Sequence, residues 1–193
     1  MIRDPEHRGR FAAEFYASVA PRLFDDIVES GVLPAASPDA VRRAHAEWEC
    51  FALYACVRGL VAAGGFNQET SRALDAMHEA ALADEARSRP PGEAPNPVPS
   101  EGPGPAPGET ADPPPAEEST KRRVLISERY AEYGSIGQEG GATGAATVGL
   151  RLGKAAAQHM AAPAAATEEL ATLVASLHEA LVEGVAEAVR QAE

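Results

Sequence analysis

The chain has 193 residues, 45% of them hydrophobic and only 5% aromatic, and a net charge of −12. Such a polyanion is repelled by nucleic acid, whose affinity for proteins rests on neutralised phosphates. Its longest uncharged apolar stretch, residues 51–57, falls far short of the roughly 20 residues that span a bilayer, which predicts no membrane segment.

Residues 5–31 predict the first helix. Phe11, Phe15, Val19, Leu23 and Ile27 recur every fourth position and would form one apolar stripe. Pro21 falls inside it and predicts a kink, or a break with Ser18 capping a second short helix. Gly31 and Pro34 end the segment.

Ser37 followed by Pro38 is a helix start, a capping hydroxyl before a proline at the first helical position. The helix it opens runs over residues 38–63, with Val41, Ala44, Trp48, Phe51, Ala52 and Ala55 on one face. Residues 51–57 are apolar all round, the pattern of a central, buried helix. Gly64 and Gly65 stop it. A third helix follows from Asn67 or Gln68 to Arg87, with Leu74, Met77 and Ala81 inward.

Eleven of the sixteen prolines lie within residues 90–115. Proline lacks the amide donor that helices need, and the stretch has almost nothing apolar to bury against the entropy of ordering. Residues 90–118 therefore predict a disordered, acidic, proline-rich linker carrying −6 of the net charge, against −4 for residues 1–89 and −2 for residues 119–193.

Beyond it, Ser119 or Thr120 can cap a helix through Arg129, Tyr130 and Tyr133. Small residues then recur every fourth position, at Gly137, Gly141, Ala145, Gly149, Gly153, Ala157 and Ala161. On one helix they form a bare ridge that lets a partner helix approach closely; a turn around 137–144 would break that ridge. Helix is favoured over residues 143–160, and Pro163 ends it. Thr167 caps a last helix running to about Gln191, with Leu170, Leu173, Val174, Leu177, Leu181, Val185 and Ala188 inward. Residues 66–82 align without gaps to residues 166–182, pairing His78-Glu79 with His178-Glu179. That is the mark of a duplicated hairpin, or of two alanine-rich amphipathic helices that resemble each other.

The expected fold is thus all-α. An N-terminal segment (1–89, three helices) and a C-terminal segment (119–193, two or three helices) form one bundle or two, joined by the linker. Each segment is near the lower size limit for a self-sufficient core, which favours docking on each other or oligomerisation.

Candidate chemistry is sparse. Cys50 and Cys56 lie about 120° apart on a helix, cannot pair with each other, and have no metal-ligand spacing. They predict a reducing, cytoplasmic setting. Ferritin-like metal sites combine single glutamates with Glu-x-x-His pairs on facing helices. Glu47, Asp75, His78, His178 and Glu179 are the residues that would build such a site, for iron, manganese or zinc. On residues 38–63, Glu47, Phe51, Tyr54 and Arg58 share one side. Arg58 needs a partner there: an internal acid such as Asp25, Asp26 or Glu29, or an anionic ligand or partner protein, with Tyr54 beside it. The basic run Lys121, Arg122, Arg123 reads as a solvated face. Lys154 follows Gly153, but the glycine spacing is wrong for a phosphate loop. No catalytic constellation is evident and no cofactor is called for. The leading expectation is a non-enzymatic protein acting through a protein partner or self-association; the second is a metal- or small-ligand-binding bundle.

Overall fold

In the computed structural model, which describes residues 4–34, 37–88, 115–138 and 145–191, the chain is all-helical. The helices are α1 (Pro5–Glu29), α2 (Pro38–Gly64), α3 (Gln68–Ser88), α4 (Pro115–Gln138), α5 (Ala145–Ala161) and α6 (Glu168–Gln191). Start signals act as their chemistry dictates. The Asp4 carboxylate accepts from the Glu6 amide, Ser37 Oγ from Ala40, Asn67 Oδ1 from Thr70 and Thr167 Oγ1 from Leu170. Each satisfies an amide that the helix itself leaves without a partner.

Two boundaries differ from the sequence expectation. α1 runs unbroken through Pro21. Pro21 faces solvent, where water can serve the backbone groups it frees, and on the inner side the Trp48 indole Nε1–H donates to the Ala20 carbonyl at 2.8 Å. α4 begins at Pro115, so residues 115–118, assigned above to the linker, are helical. Proline is well suited to a first helical position. The remainder of the expected linker, residues 90–114, lies outside the described residues. Of the two readings of the small-residue ridge, the divided one describes the molecule. Gly137 belongs to α4, Gly149, Gly153 and Ala157 belong to α5, and Gly141 lies outside the described residues.

α2 is the hub: every other helix contacts it. Residues 51–56 are buried on every side, with Phe51, Ala52, Ala55 and Cys56 at 0% exposure. α1 packs most closely on α3, and α6 on both α5 and α2, so the two helical segments dock on each other. Contacts fix the helix directions. Gly153 meets Ala171 and Ala175 while Gly149 meets Glu179, so α5 and α6 are antiparallel. Phe51 meets His178 and Gly59 meets Val185, so α2 and α6 are parallel.

The closest approaches are made by glycine. A Cβ on Gly9 would sit 2.9 Å from the Met77 nitrogen, and one on Gly153 would sit 2.4 Å from the Ala171 oxygen. This shifts the α1 stripe. Ala12, Ala13, Tyr16, Ala20, Phe24 and Ile27 are buried, while Phe11, Phe15, Val19 and Leu23 are only half-buried. A four-residue step turns 400°, so a strict i+4 row drifts off the contact line.

The 66–82 and 166–182 segments share helix start and cap position, at Asn67 and Thr167. Their packing does not match. α6 lies closely along α5, whereas α3 touches α2 only lightly and rests mainly on α1.

Candidate functional site

The polar residues of α2 form a seam through an aromatic core. Glu47 is gripped at both oxygens by Arg129 of α4, with Nε to Oε2 and Nη2 to Oε1 both at 2.6 Å. Glu49 takes Arg122 Nη1 at 2.8 Å and lies 3.5 Å from His45 Nδ1. Tyr54 donates its hydroxyl to the Tyr133 carbonyl at 3.1 Å. Arg58 Nη1 reaches α6, donating to His178 Nε2 at 2.9 Å and to Glu179 Oε1 at 3.1 Å. The acid facing Arg58 is therefore Glu179, not a residue of α1.

Phe51 and Tyr54 carry the apolar part. The Phe51 ring lies 4.5 Å from His178 and 5.1 Å from Tyr133, centroid to centroid. Tyr54 lies 5.5 Å from Tyr133 and 5.6 Å from Tyr130. His178, a candidate metal ligand on the sequence, is wholly buried at the centre of this cluster. Arginine can only donate, so His178 Nε2 accepts and the ring proton sits on Nδ1. Among the described residues that Nδ1 has no hydrogen-bond partner. Burial, and after it the Arg58 guanidinium, pushes the His178 imidazolium down to about 3, so the ring is neutral near pH 7.

His78 has a different task. Its Nδ1 donates to the Leu74 carbonyl at 2.8 Å, which leaves Nε2 to accept the Tyr130 hydroxyl at 2.9 Å. The pair ties α3 to α4. Burial lowers the His78 pKa and raises that of Tyr130 well above the usual phenol range. Asp75 is exposed on α3.

The residues considered for a metal are thus dispersed: Glu47 on Arg129, Glu179 and His178 on Arg58, His78 on Tyr130. Among the described residues no group of three or more histidine, cysteine or acidic side chains is placed to hold a metal ion. The thiols of Cys50 and Cys56 are unpaired and buried, and desolvation pushes both up to about 12. A cleft of about 70 Å³ beside Leu33, Arg43, His159 and Met160 is small against ligand pockets of roughly 300–1,000 Å³.

Sequence reasoning overlooked the α4 half of the seam. Arg122 was read as solvated, but its side chain is 23% exposed and paired with Glu49. Arg122, Ile126, Arg129 and Tyr133 fall at i, i+4, i+7 and i+11, one face of a helix. That spacing, opposite acids on an apolar helix, is the signal that was present. The His159–Glu132 contact at 2.7 Å adds a link from α5 to α4. What the arrangement does chemically is hold helices in register. Its polar side chains bind one another across helix boundaries, and its one wholly buried imidazole is neutral and sealed.

No described helix is long and apolar enough to cross a membrane. No family model, no curated protein and no solved structure matches the chain.

Proposed function

We propose that this chain is a non-enzymatic interaction protein, with the helical bundle as a rigid platform. The small-residue ridge on α5 and the apolar stretch 51–57 of α2 point to association through helices, but both faces are used inside the bundle. The recognition surface therefore lies elsewhere. The observation that carries the reading is Phe66, which stands 95% exposed on the turn between α2 and α3. An aromatic side chain left fully in water gains nothing for folding, whereas aromatics are the commonest anchors of protein interfaces. The acidic, proline-rich sequence at 90–114 is a second contact element on this reading, since extended proline segments dock in aromatic grooves. The proposed setting is cytoplasmic, in keeping with two unpaired thiols.

The test is a photo-crosslinking amino acid placed at position 66 in cells, against the same probe at the exposed position 79. A discrete adduct formed only from position 66 is expected, with its mass separating a protein partner from a second copy. Equal labelling from both positions, or none from position 66, refutes the assignment of Phe66.

A further inference from the structure

One end of the bundle carries a cleft whose two sides differ in charge. It lies where the chain leaves α1, where α2 begins and where α5 ends, lined by Leu33, Arg43, His159, Met160, Ala161 and Ala162 among others. Leu33 and Met160 are buried and make an apolar floor. His159 is a fixed wall, because its Nε2 is tied to Glu132 of α4 at 2.7 Å.

The positive side is Arg43. Its neighbour Arg42 is paired with Asp39 of the same helix. Arg43 is exposed and makes no ion pair or hydrogen bond with any described residue. The negative side is the end of α5. The last carbonyls of a helix have no partner within it, and bonds from the following amides commonly close them. Here Pro163 has no amide to give, and those of Ala165 and Ala166 go instead to the Ala162 carbonyl, at 3.0 and 3.1 Å. Ala162, at φ 65°, turns the chain away from the helix. The carbonyls of residues 159–161 receive none of these amides. They form the negative end of the α5 dipole, which favours a cation.

We propose that this cleft binds a small zwitterionic α-amino acid, its carboxylate on Arg43 and its ammonium on the carbonyls that end α5. A lone anion would face those carbonyls, and a lone cation would face Arg43. A ligand carrying both charges on adjacent groups suits both sides. Size limits it further. A space of about 70 Å³ has room for about five water molecules, which matches the heavy atoms of glycine or alanine and leaves none for a larger side chain over Leu33 and Met160. The site does not depend on Phe66, which lies beyond the opposite end of α2.

The test is a titration of the isotope-labelled full-length chain, followed by the backbone amide shifts in its NMR spectrum. Glycine and alanine are expected to move the Arg43, Ala161 and Ala162 amides, with half-saturation at about 1 mM, a weak but specific affinity. N-acetylglycine, which lacks the ammonium, and glycinamide, which lacks the carboxylate, bind at least tenfold more weakly, and phenylalanine does not bind. Arg43→Gln takes glycine at least tenfold more weakly, and because Arg43 is exposed the variant keeps its fold. Arg22→Gln, exposed on α1, leaves the affinity unchanged. Failure of glycine and alanine to move these amides at about 50 mM overturns the site. Binding of N-acetylglycine, glycinamide or phenylalanine as tight as that of glycine, or full glycine affinity in Arg43→Gln, overturns the two-sided recognition. None of these results bears on crosslinking from position 66, so this proposal and the preceding one fail separately.

Discussion

Gly153 offers a sharp test of how α5 and α6 are packed. In Gly153→Ala the new methyl would sit 2.4 Å from the Ala171 oxygen, 2.6 Å from Ala175 Cβ and 2.9 Å from the Ala175 nitrogen. Carbon contacts are optimal at roughly 3.5–4.0 Å, and two of these three atoms are backbone, which no rotamer change can move. The helices must separate, which places the cost at the upper end of the ~1–3 kcal/mol of an overpacked core. Alanine returns about 1 kcal/mol of helix propensity, leaving a net loss of about 2 kcal/mol. At about 2–4 °C per kcal/mol for a chain of this size, Tm falls by about 4–8 °C. Gly149→Ala, one turn away on the same helix, is the control. Its methyl meets only the Glu179 side chain, at 3.1 Å, and that 46% exposed side chain has to give by only a few tenths of an ångström, at some cost to its bond with Arg58. Most of the propensity gain survives there, giving a change between zero and about 1 kcal/mol in favour of folding. Urea melts followed by circular dichroism at 222 nm read both. A Gly153→Ala chain as stable as the original, or two variants destabilised alike, would refute the packing argument.

Ala162 holds φ at 65° just after α5, a conformation that costs a side chain about 1–2 kcal/mol, so Ala162→Gly is expected to raise stability by about 1 kcal/mol in the same melts. Trp48→Phe removes the donor to the Ala20 carbonyl and leaves a gap at a wholly buried site; a loss of about 2–3 kcal/mol is expected. Because the folded state holds His178 down to about 3 against an ordinary 6.5, the unfolded chain binds a proton that the folded chain refuses between those values. Stability therefore falls as pH drops from about 6.5 towards 3 and this contribution is lost below it. His178→Phe should show a shallower fall over that window than the original chain, and parallel curves would contradict the assignment.

Much of the fold was legible in the sequence because helix signals are local. Ser37-Pro38 and Thr167 set the starts of α2 and α6 through side chain to backbone bonds that need no tertiary information. The all-apolar run at 51–57 read as central because nothing else can cover such a helix. The seam was less legible because it depends on which helices meet. Nothing near Arg58 in sequence marks Glu179, 121 residues away, as its acid. His178 is absent from the inward leucine and valine stripe expected for the last helix because that stripe is read from α6 alone; a second helix, α2, widens the buried face and encloses it. Pro21 predicts a kink or break because a proline inside a helix frees backbone groups, and on the water-facing side of α1 solvent can bond them.

α2 contributes ring and methyl surface to helices from both ends of the chain, so neither residues 4–88 nor residues 115–191 close a complete core without the other. A backbone cut between Ser88 and Pro115 would leave two fragments that still require each other. Cleavage there changes the covalent bookkeeping of the molecule, but integrity stays with the shared interior, and the severed protein would migrate as one particle until that interior is dissolved.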